Sequence, residues 1–194
     1  MTLPPLILAS GSRYRRELLT RLGIVFTVTS PNVDEAARAG EAPLERAQRL
    51  AQEKALNVAT AHRAALVIGS DQVACTAQVV LDKPGTAETA RTQLGRLSGS
   101  TAHFHTACAA VCLDRNYRAM HVDTTRVVFR TLQALEIERY VATERPFDCA
   151  GSFKAEALGI SLLERIESSD PTALIGLPLI WVAGALRGMG YELP

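Results

Sequence analysis

What the 194 residues lack narrows the field first. There is no excess of either charge: 21 Lys and Arg face 20 Asp and Glu. That balance argues against a general nucleic-acid binder, which needs a basic face to neutralise phosphates. It leaves room for a small anionic ligand, which needs only a few local cations. No apolar run reaches the length of a membrane span. The opening Met1–Ala9 has no basic start and too short an apolar stretch for a signal peptide, so a cytoplasmic protein is expected. Its four cysteines, Cys75, Cys108, Cys112 and Cys149, are then read as reduced. They form no pair of CxxC knuckles, which sets aside a zinc site in favour of buried structural thiols. His103 and His105 alternate on one strand face, but no third ligand is near in sequence, so a half-exposed strand face is expected there. The chain also lacks the GxxxxGK[ST] phosphate loop, the GxGxxG dinucleotide turn and the GxSxG nucleophile elbow.

What is there reads as a folded α/β chain. Hydrophobic residues make up 47% and charged residues 21%, enough for a substantial core and against disorder. The length fits one domain, or one core split into two lobes around a cleft. Leu6–Ala9 reads as a buried strand ending in Ser10-Gly11-Ser12, followed by a helix from Arg13 to Leu22 that Gly23 stops. Ile24–Val28 is strand-like. Pro43 opens a long helix with Leu44, Ala47, Leu50, Ala51, Ala55 and Val58 on one face. Ala65–Gly69 is a second buried strand, running into Ser70-Asp71-Gln72-Val73. Val79–Leu81 is a short strand, and Thr86 caps a helix reaching Leu97. Thr101–Leu113 and Tyr117–Arg130 pair as a hairpin through Asp114-Arg115-Asn116. A helix at Leu135–Thr143, a loop at Pro146–Gly151, a strand at Leu162–Ile166 and a helix at Leu177–Met189 complete the chain. Strands and helices interspersed with one hairpin imply a mixed sheet rather than a doubly wound parallel one.

Three segments have residue types suited to phosphate chemistry. Ser10-Gly11-Ser12-Arg13-Tyr14-Arg15-Arg16 lies between a strand and a helix start, where free backbone N–H groups favour an anion and Arg forks match phosphate geometry. The same residues also read as an ordinary N-cap followed by solvated arginines. Asp71, just past a buried strand, is placed where α/β ligand sites collect, and it could take a proton from water or hold a metal; a turn-forming Asp is the plainer reading. Lys83, beside Pro84, could set a charge against a phosphate or stand solvated. Lys54 on the long helix and Glu35 in the loop after Ser30-Pro31-Asn32 carry the same two readings.

Together these segments resemble the Maf family of nucleoside triphosphate pyrophosphatases. The resemblance is carried in order by Leu6–Ser12 with Arg15-Arg16 and Leu18-Leu19, Val33-Asp34-Glu35, Ala51-Gln52-Glu53-Lys54-Ala55, Gly69–Val73, Lys83-Pro84, Val128-Phe129-Arg130 and Gly176-Leu177-Pro178. Cys149–Ile160 is similar to the branch acting on 7-methyl-GTP; branches acting on dTTP and UTP carry a Tyr and a Gln in this region. The resemblance implies one Maf-like pyrophosphatase domain over residues 1–194, an elongated mixed sheet flanked by helices, and two lobes with a central cleft.

It further implies hydrolysis of 7-methyl-GTP to 7-methyl-GMP and diphosphate, a housecleaning reaction, with Asp71 as general base. Glu35 and Asp71 would hold Mg²⁺ or Mn²⁺. Ser10, Ser12, Arg15, Arg16, Lys54 and Lys83 would contact phosphates, and Tyr14, Gln72 and Glu156 would tune substrate choice. Tyr14 departs from the branch, where a Trp can stand; both rings could stack on a base. No nucleic acid or membrane partner is expected, and a homodimer is. The alternatives are a dTTP/UTP-type pyrophosphatase, an inosine-type nucleotide pyrophosphatase of related fold, and a nucleotide-binding regulator of septum formation and cell division. Paired acids and cations favour an enzyme over the regulator, because binding alone needs no base.

Overall fold

The computed structural model describes residues 3–77 and 79–194. In chain order the elements are β1 (Leu6–Ala9), α1 (Arg13–Thr20), β2 (Thr27–Thr29), α2 (Pro43–Ala61), β3 (Leu66–Cys75), β4 (Val80–Leu81) and α3 (Ala87–Leu97). Then come β5 (Thr101–Cys112), β6 (Tyr117–Phe129), α4 (Ala134–Glu144), β7 (Leu163–Glu167) and α5 (Leu179–Gly188). The strands pair in the order β2-β1-β3-β5-β6-β7, with β4 on β3. β1 pairs in parallel with β2 and β3, whereas β4 and β7 are antiparallel to β3 and β6. The fold is therefore α/β with a mixed seven-stranded sheet, as the interspersed elements predicted. No helix among the described residues is long and apolar enough to cross a membrane.

The chain divides into two compact units. One comprises residues 1–72, 106–123 and 170–194; the other comprises residues 73–105 and 124–169. In the first unit β3 separates two chemistries by its two-residue period. Leu66 and Ile68 join Leu6, Leu8, Leu18, Leu19, Val182 and Leu186 in the main apolar core, which α1 and α5 cover. The alternate residues Val67, Gly69 and Asp71 face the other way, toward α2. Each helix start is satisfied locally. Ser12 Oγ accepts from the Arg15 amide at 3.4 Å, Glu45 accepts from the Ala42 amide at 3.2 Å, and Thr86 Oγ1 accepts from the Thr89 amide at 3.2 Å. The start of α5 uses a cap the sequence reading passed over. Buried Asp170 accepts from the Ile180 amide at 2.7 Å, and Thr172 Oγ1 accepts from the Leu179 amide at 2.9 Å.

Two boundaries differ from expectation by more than two residues. The second strand is Thr27–Thr29 rather than Ile24–Val28, because Ile24 and Phe26 pack against the apolar core instead of pairing in the sheet. More consequentially, β3 does not end at Gly69. Ser70, Asp71 and Gln72 stay in the strand because each polar side chain finds a partner there. The Ser70 hydroxyl lies 2.8 Å from the Ala107 carbonyl and 2.9 Å from that of Gly176.

Gly69 sets how near α2 comes to the sheet. A Cβ at this position would lie 2.5 Å from the Ala51 carbonyl oxygen and 2.6 Å from the Ala55 nitrogen. Both are helix backbone atoms, which cannot swing aside. Gly69→Ala is therefore expected to destabilise the fold by about 3 kcal/mol through overpacking, read as a lower urea midpoint with an unchanged slope. An unchanged midpoint would show that α2 is free to shift.

Candidate active site

The close approach at Gly69 brings Lys54, on α2, against Asp71, two residues further along β3. Lys54 is 5% exposed and Asp71 7%. Lys54 Nζ lies 2.6 Å from Asp71 Oδ1 and 2.7 Å from Glu35 Oε1. A buried ammonium is tolerated only when paired, and here two carboxylates converge on it. Glu35 arrives from the loop between β2 and α2, and its side chain remains 60% exposed. The constellation thus runs from a buried carboxylate to a solvent-facing one through one cation. Asp71 Oδ2 takes no hydrogen bond from any described residue. The two carboxylate oxygens touch the same nitrogen, so they lie no further apart than those two short contacts end to end. The Lys54 ammonium stands between them, and both are hard oxygen donors of the kind that take a divalent cation together with phosphate oxygens. No group of three His, Cys, Asp or Glu side chains among the described residues is arranged to hold a metal.

In the parallel pairing Ala9, the last residue of β1, sits opposite Gly69, two residues before Asp71, and the Ser10–Arg16 segment leaves the sheet from there. Ser10 is buried, and its Oγ accepts from the Ser12 amide at 3.1 Å. Ser12 caps α1. No hydrogen bond joins Ser10, Ser12 or Arg15 to Lys54 or Asp71. Arg15 is partly committed to structure, its Nε donating to the Gly176 carbonyl at 2.9 Å. The Arg16 side chain is exposed and forms no hydrogen bond or ion pair with a described residue.

The residues expected to tune substrate choice differ in how free they are. The Arg13 guanidinium lies 4.7 Å from the Tyr14 ring centroid and donates to its hydroxyl at 2.7 Å. A cation already over that ring works against stacking a second, positively charged ring on the same face. The Gln72 amide nitrogen points at Thr106 Oγ1 and at the Ala173 and Leu174 carbonyls, at 2.9, 3.1 and 3.0 Å. Its two protons are used, and only its carbonyl oxygen is left to accept from a ligand.

In the second unit the turn before α3 is pinned by the Gly85 amide to the Phe147 carbonyl at 3.0 Å and by Gln93 to the Asp82 carbonyl at 2.9 Å. Lys83 projects from that turn, exposed and without a described partner. The 149–160 segment is held in place by identifiable contacts. Gly151 and Ser152 both have left-handed backbone, with φ of 71° and 59°, and the Ser152 hydroxyl is held by Gln93. Phe153 packs edge-on to Phe104 and Phe129. Glu144 binds both ends of the next turn: Lys154 Nζ at 3.2 Å and the Leu158 amide at 3.1 Å. The Tyr140 hydroxyl accepts from the Lys154 amide at 3.0 Å, and burial pushes its pKa up. Glu156 stands exposed within that turn.

The sequence reading missed what holds these groups: Gly69, Ser70, and the Glu144 that fixes the Glu156 turn. A glycine in a strand was a signal of close backbone approach that could have marked Gly69. Nothing in the local sequence pairs Glu144 with Lys154, ten residues on.

The family model described as Maf-like protein matches residues 5–189. A protein named 7-methyl-GTP pyrophosphatase from Xanthomonas axonopodis pv. citri is 53% identical over 192 residues, covering 99% of this chain and 100% of its own length. The protein of the same name from Xanthomonas campestris pv. campestris (strain 8004) is 54% identical over the same shares of both chains. The one from Bordetella pertussis is 49% identical over 193 residues, 97% of this chain and 94% of its own.

Removing the shared cation tests whether the constellation is coupled. Lys54→Met leaves Asp71 buried beside an apolar chain and is expected to cost about 3–5 kcal/mol. The double variant Lys54→Met/Asp71→Leu is expected to be more stable than the single one in urea denaturation. Simple addition of the two losses would contradict the pairing.

Proposed function

This chain belongs to the Maf-like family, and from that premise we propose that it hydrolyses 7-methyl-GTP to 7-methyl-GMP and diphosphate. The observation that carries the reading is the convergence of Asp71 and Glu35 on the buried Lys54 ammonium. The names of the full-length relatives supply the substrate. Asp71 is the general base. With Oδ1 fixed on Lys54, Oδ2 takes the proton of a water that attacks the α-phosphorus. The bond between that phosphorus and the bridging oxygen breaks, and the electron pair leaves with diphosphate. Lys54 orients the base and places a positive charge beside the reacting phosphate. The α1 N-terminus with Ser10 and Ser12, the exposed Arg16 and Lys83, and the free nitrogens of Arg15 neutralise the remaining phosphates. Glu35 and Asp71 are the residues that would hold Mg²⁺ or Mn²⁺, which supplies Lewis-acid stabilisation of phosphate charge.

Base selection falls to Glu156 and Gln72. 7-Methylguanine carries a positive charge spread over its imidazole ring. The Glu156 carboxylate would accept from the guanine N1–H and exocyclic amine and attract that charge. The Gln72 carbonyl oxygen offers one further acceptor. Tyr14 contributes less than the resemblance implied, given the Arg13 guanidinium over its ring. We read the two compact units as parts of one domain spanning 1–194, since β3, β5 and β6 each continue from one unit into the other. The proposed setting is the cytoplasmic nucleotide pool, with removal of modified nucleotides as the purpose and a homodimer as the assembly.

Asp71→Asn is expected to lower turnover by about 10²–10⁴-fold while nucleotide binding remains measurable by calorimetry; near-normal turnover would remove the assigned role. Glu156→Gln is expected to cut the ratio of kcat/KM for 7-methyl-GTP over GTP by about tenfold, equivalent to about 1.4 kcal/mol. An unchanged ratio, or a wild-type protein that prefers dTTP and UTP, would discard Glu156 as the selector.

A further inference from the structure

The loop that carries Glu35 is fastened along α2 by a set of side chains that the proposed chemistry does not use. At its start Asn57 and Asn32 exchange two hydrogen bonds, the Asn32 amide donating to Asn57 Oδ1 at 3.0 Å and Asn57 Nδ2 to the Asn32 carbonyl at 3.2 Å. In its middle Arg46 donates to the Glu35 carbonyl and Arg49 to the Ala36 carbonyl, each at 3.0 Å. Further on, Arg38 is tied to Glu53 at 2.8 Å.

Arg49 is the hub. Its guanidinium bonds Glu41 through Nε at 2.5 Å and through a terminal nitrogen at 2.8 Å, and it reaches Glu53 at 3.0 Å. Its side chain is only 12% exposed and that of Glu41 8%. The hydrogen bond from Arg49 holds the Glu41 carboxyl down at about 2, so the pair stays ionised across the physiological range. These bonds hold the loop at both ends and on both carbonyls around Glu35. Lys54 lies on α2 between Arg49 and Asn57, within the stretch the loop covers.

We infer that Arg49 is a positioning residue for Glu35: by tying the Glu35–Glu41 segment to α2 it delivers the Glu35 carboxylate to Lys54 and Asp71, and so sets the affinity of that acid pair for a divalent cation. This rests on the reading of Glu35 as a metal ligand. Without the strap, an acid 60% exposed on a loop has no reason to stay at a buried ammonium, because an exposed ion pair alone holds little. Only a planar fork can serve Glu41, Glu53 and the Ala36 carbonyl together, so lysine cannot replace it.

The test compares wild type, Arg49→Lys, Asn57→Leu and Glu35→Gln. Backbone hydrogen exchange over residues 35–41 and Mn²⁺ binding by paramagnetic resonance are both measured, alongside turnover as a function of Mn²⁺. Asn57→Leu loosens the loop without touching Arg49, and serves if Arg49→Lys folds poorly. Arg49→Lys is expected to speed exchange in 35–41 selectively and to weaken Mn²⁺ binding about tenfold, as loss of a partner behind a ligand does. Its lost turnover is expected to recover as Mn²⁺ is raised, whereas that of Glu35→Gln is not. Exchange unchanged in both loop variants, or faster exchange with wild-type Mn²⁺ affinity, would overturn the proposal. Wild-type Mn²⁺ affinity in Glu35→Gln would instead overturn the metal reading on which it rests, and the exchange data would then still report whether Arg49 holds the loop.

Discussion

The close packing of α2 on β3 at Gly69 is the constraint on which the rest depends. A helix lying against an alanine or valine at that position would stand further from the strand. Lys54 could then not meet Asp71 at hydrogen-bond distance while both remained buried. The missing side chain is what lets a helix backbone, an ammonium and a carboxylate occupy one small volume. A buried charge pair gives little net stability by itself. Its retention in the middle of a strand, where an apolar residue would pack as well, is more readily understood as a requirement of chemistry than of folding.

Around that point the molecule keeps two kinds of work on opposite faces of β3. Leu66, Ile68 and Ser70 face the core under α1 and α5, and the Ser70 hydroxyl is used up on backbone carbonyls. Asp71 faces α2, where its second oxygen is left without a described partner. The strand's period alone therefore decides which polar residue is structural and which is available. The same division holds for longer side chains. The amide of Gln72 and the ammonium of Lys154 are committed to their own scaffolds, whereas Glu156 and Lys83 extend into solvent from anchored turns and Arg16 from α1.

Much of this was legible in the sequence, and the gaps have physical causes. Apolar periodicity located the helices at Pro43 and Thr86 and the long hairpin, because those patterns record burial directly. The ordered motifs pointed to Asp71, Lys54 and Glu35 before any geometry was known, and the fold joins all three through one nitrogen. The end of β3 was misplaced because polar residues ordinarily leave a strand. Ser70 and Gln72 remain because their partners, near Ala107 and Ala173, are more than thirty residues away. The cap of α5 by Asp170 and the clamp of Glu144 on Lys154 and Leu158 depend on turns bringing distant residues together. For Tyr14 the aromatic face was readable from residue type, whereas the Arg13 guanidinium resting over it is a matter of side-chain geometry.

The most direct test is hydrolysis by the wild-type protein in oxygen-18 water, with 7-methyl-GTP, GTP, dTTP and UTP each offered alongside Mg²⁺ or Mn²⁺. Attack of an Asp71-activated water on the α-phosphorus predicts release of diphosphate, fastest from 7-methyl-GTP, with the label in the nucleoside monophosphate. Label in diphosphate or in free phosphate, or nucleotide binding without any release, would contradict it.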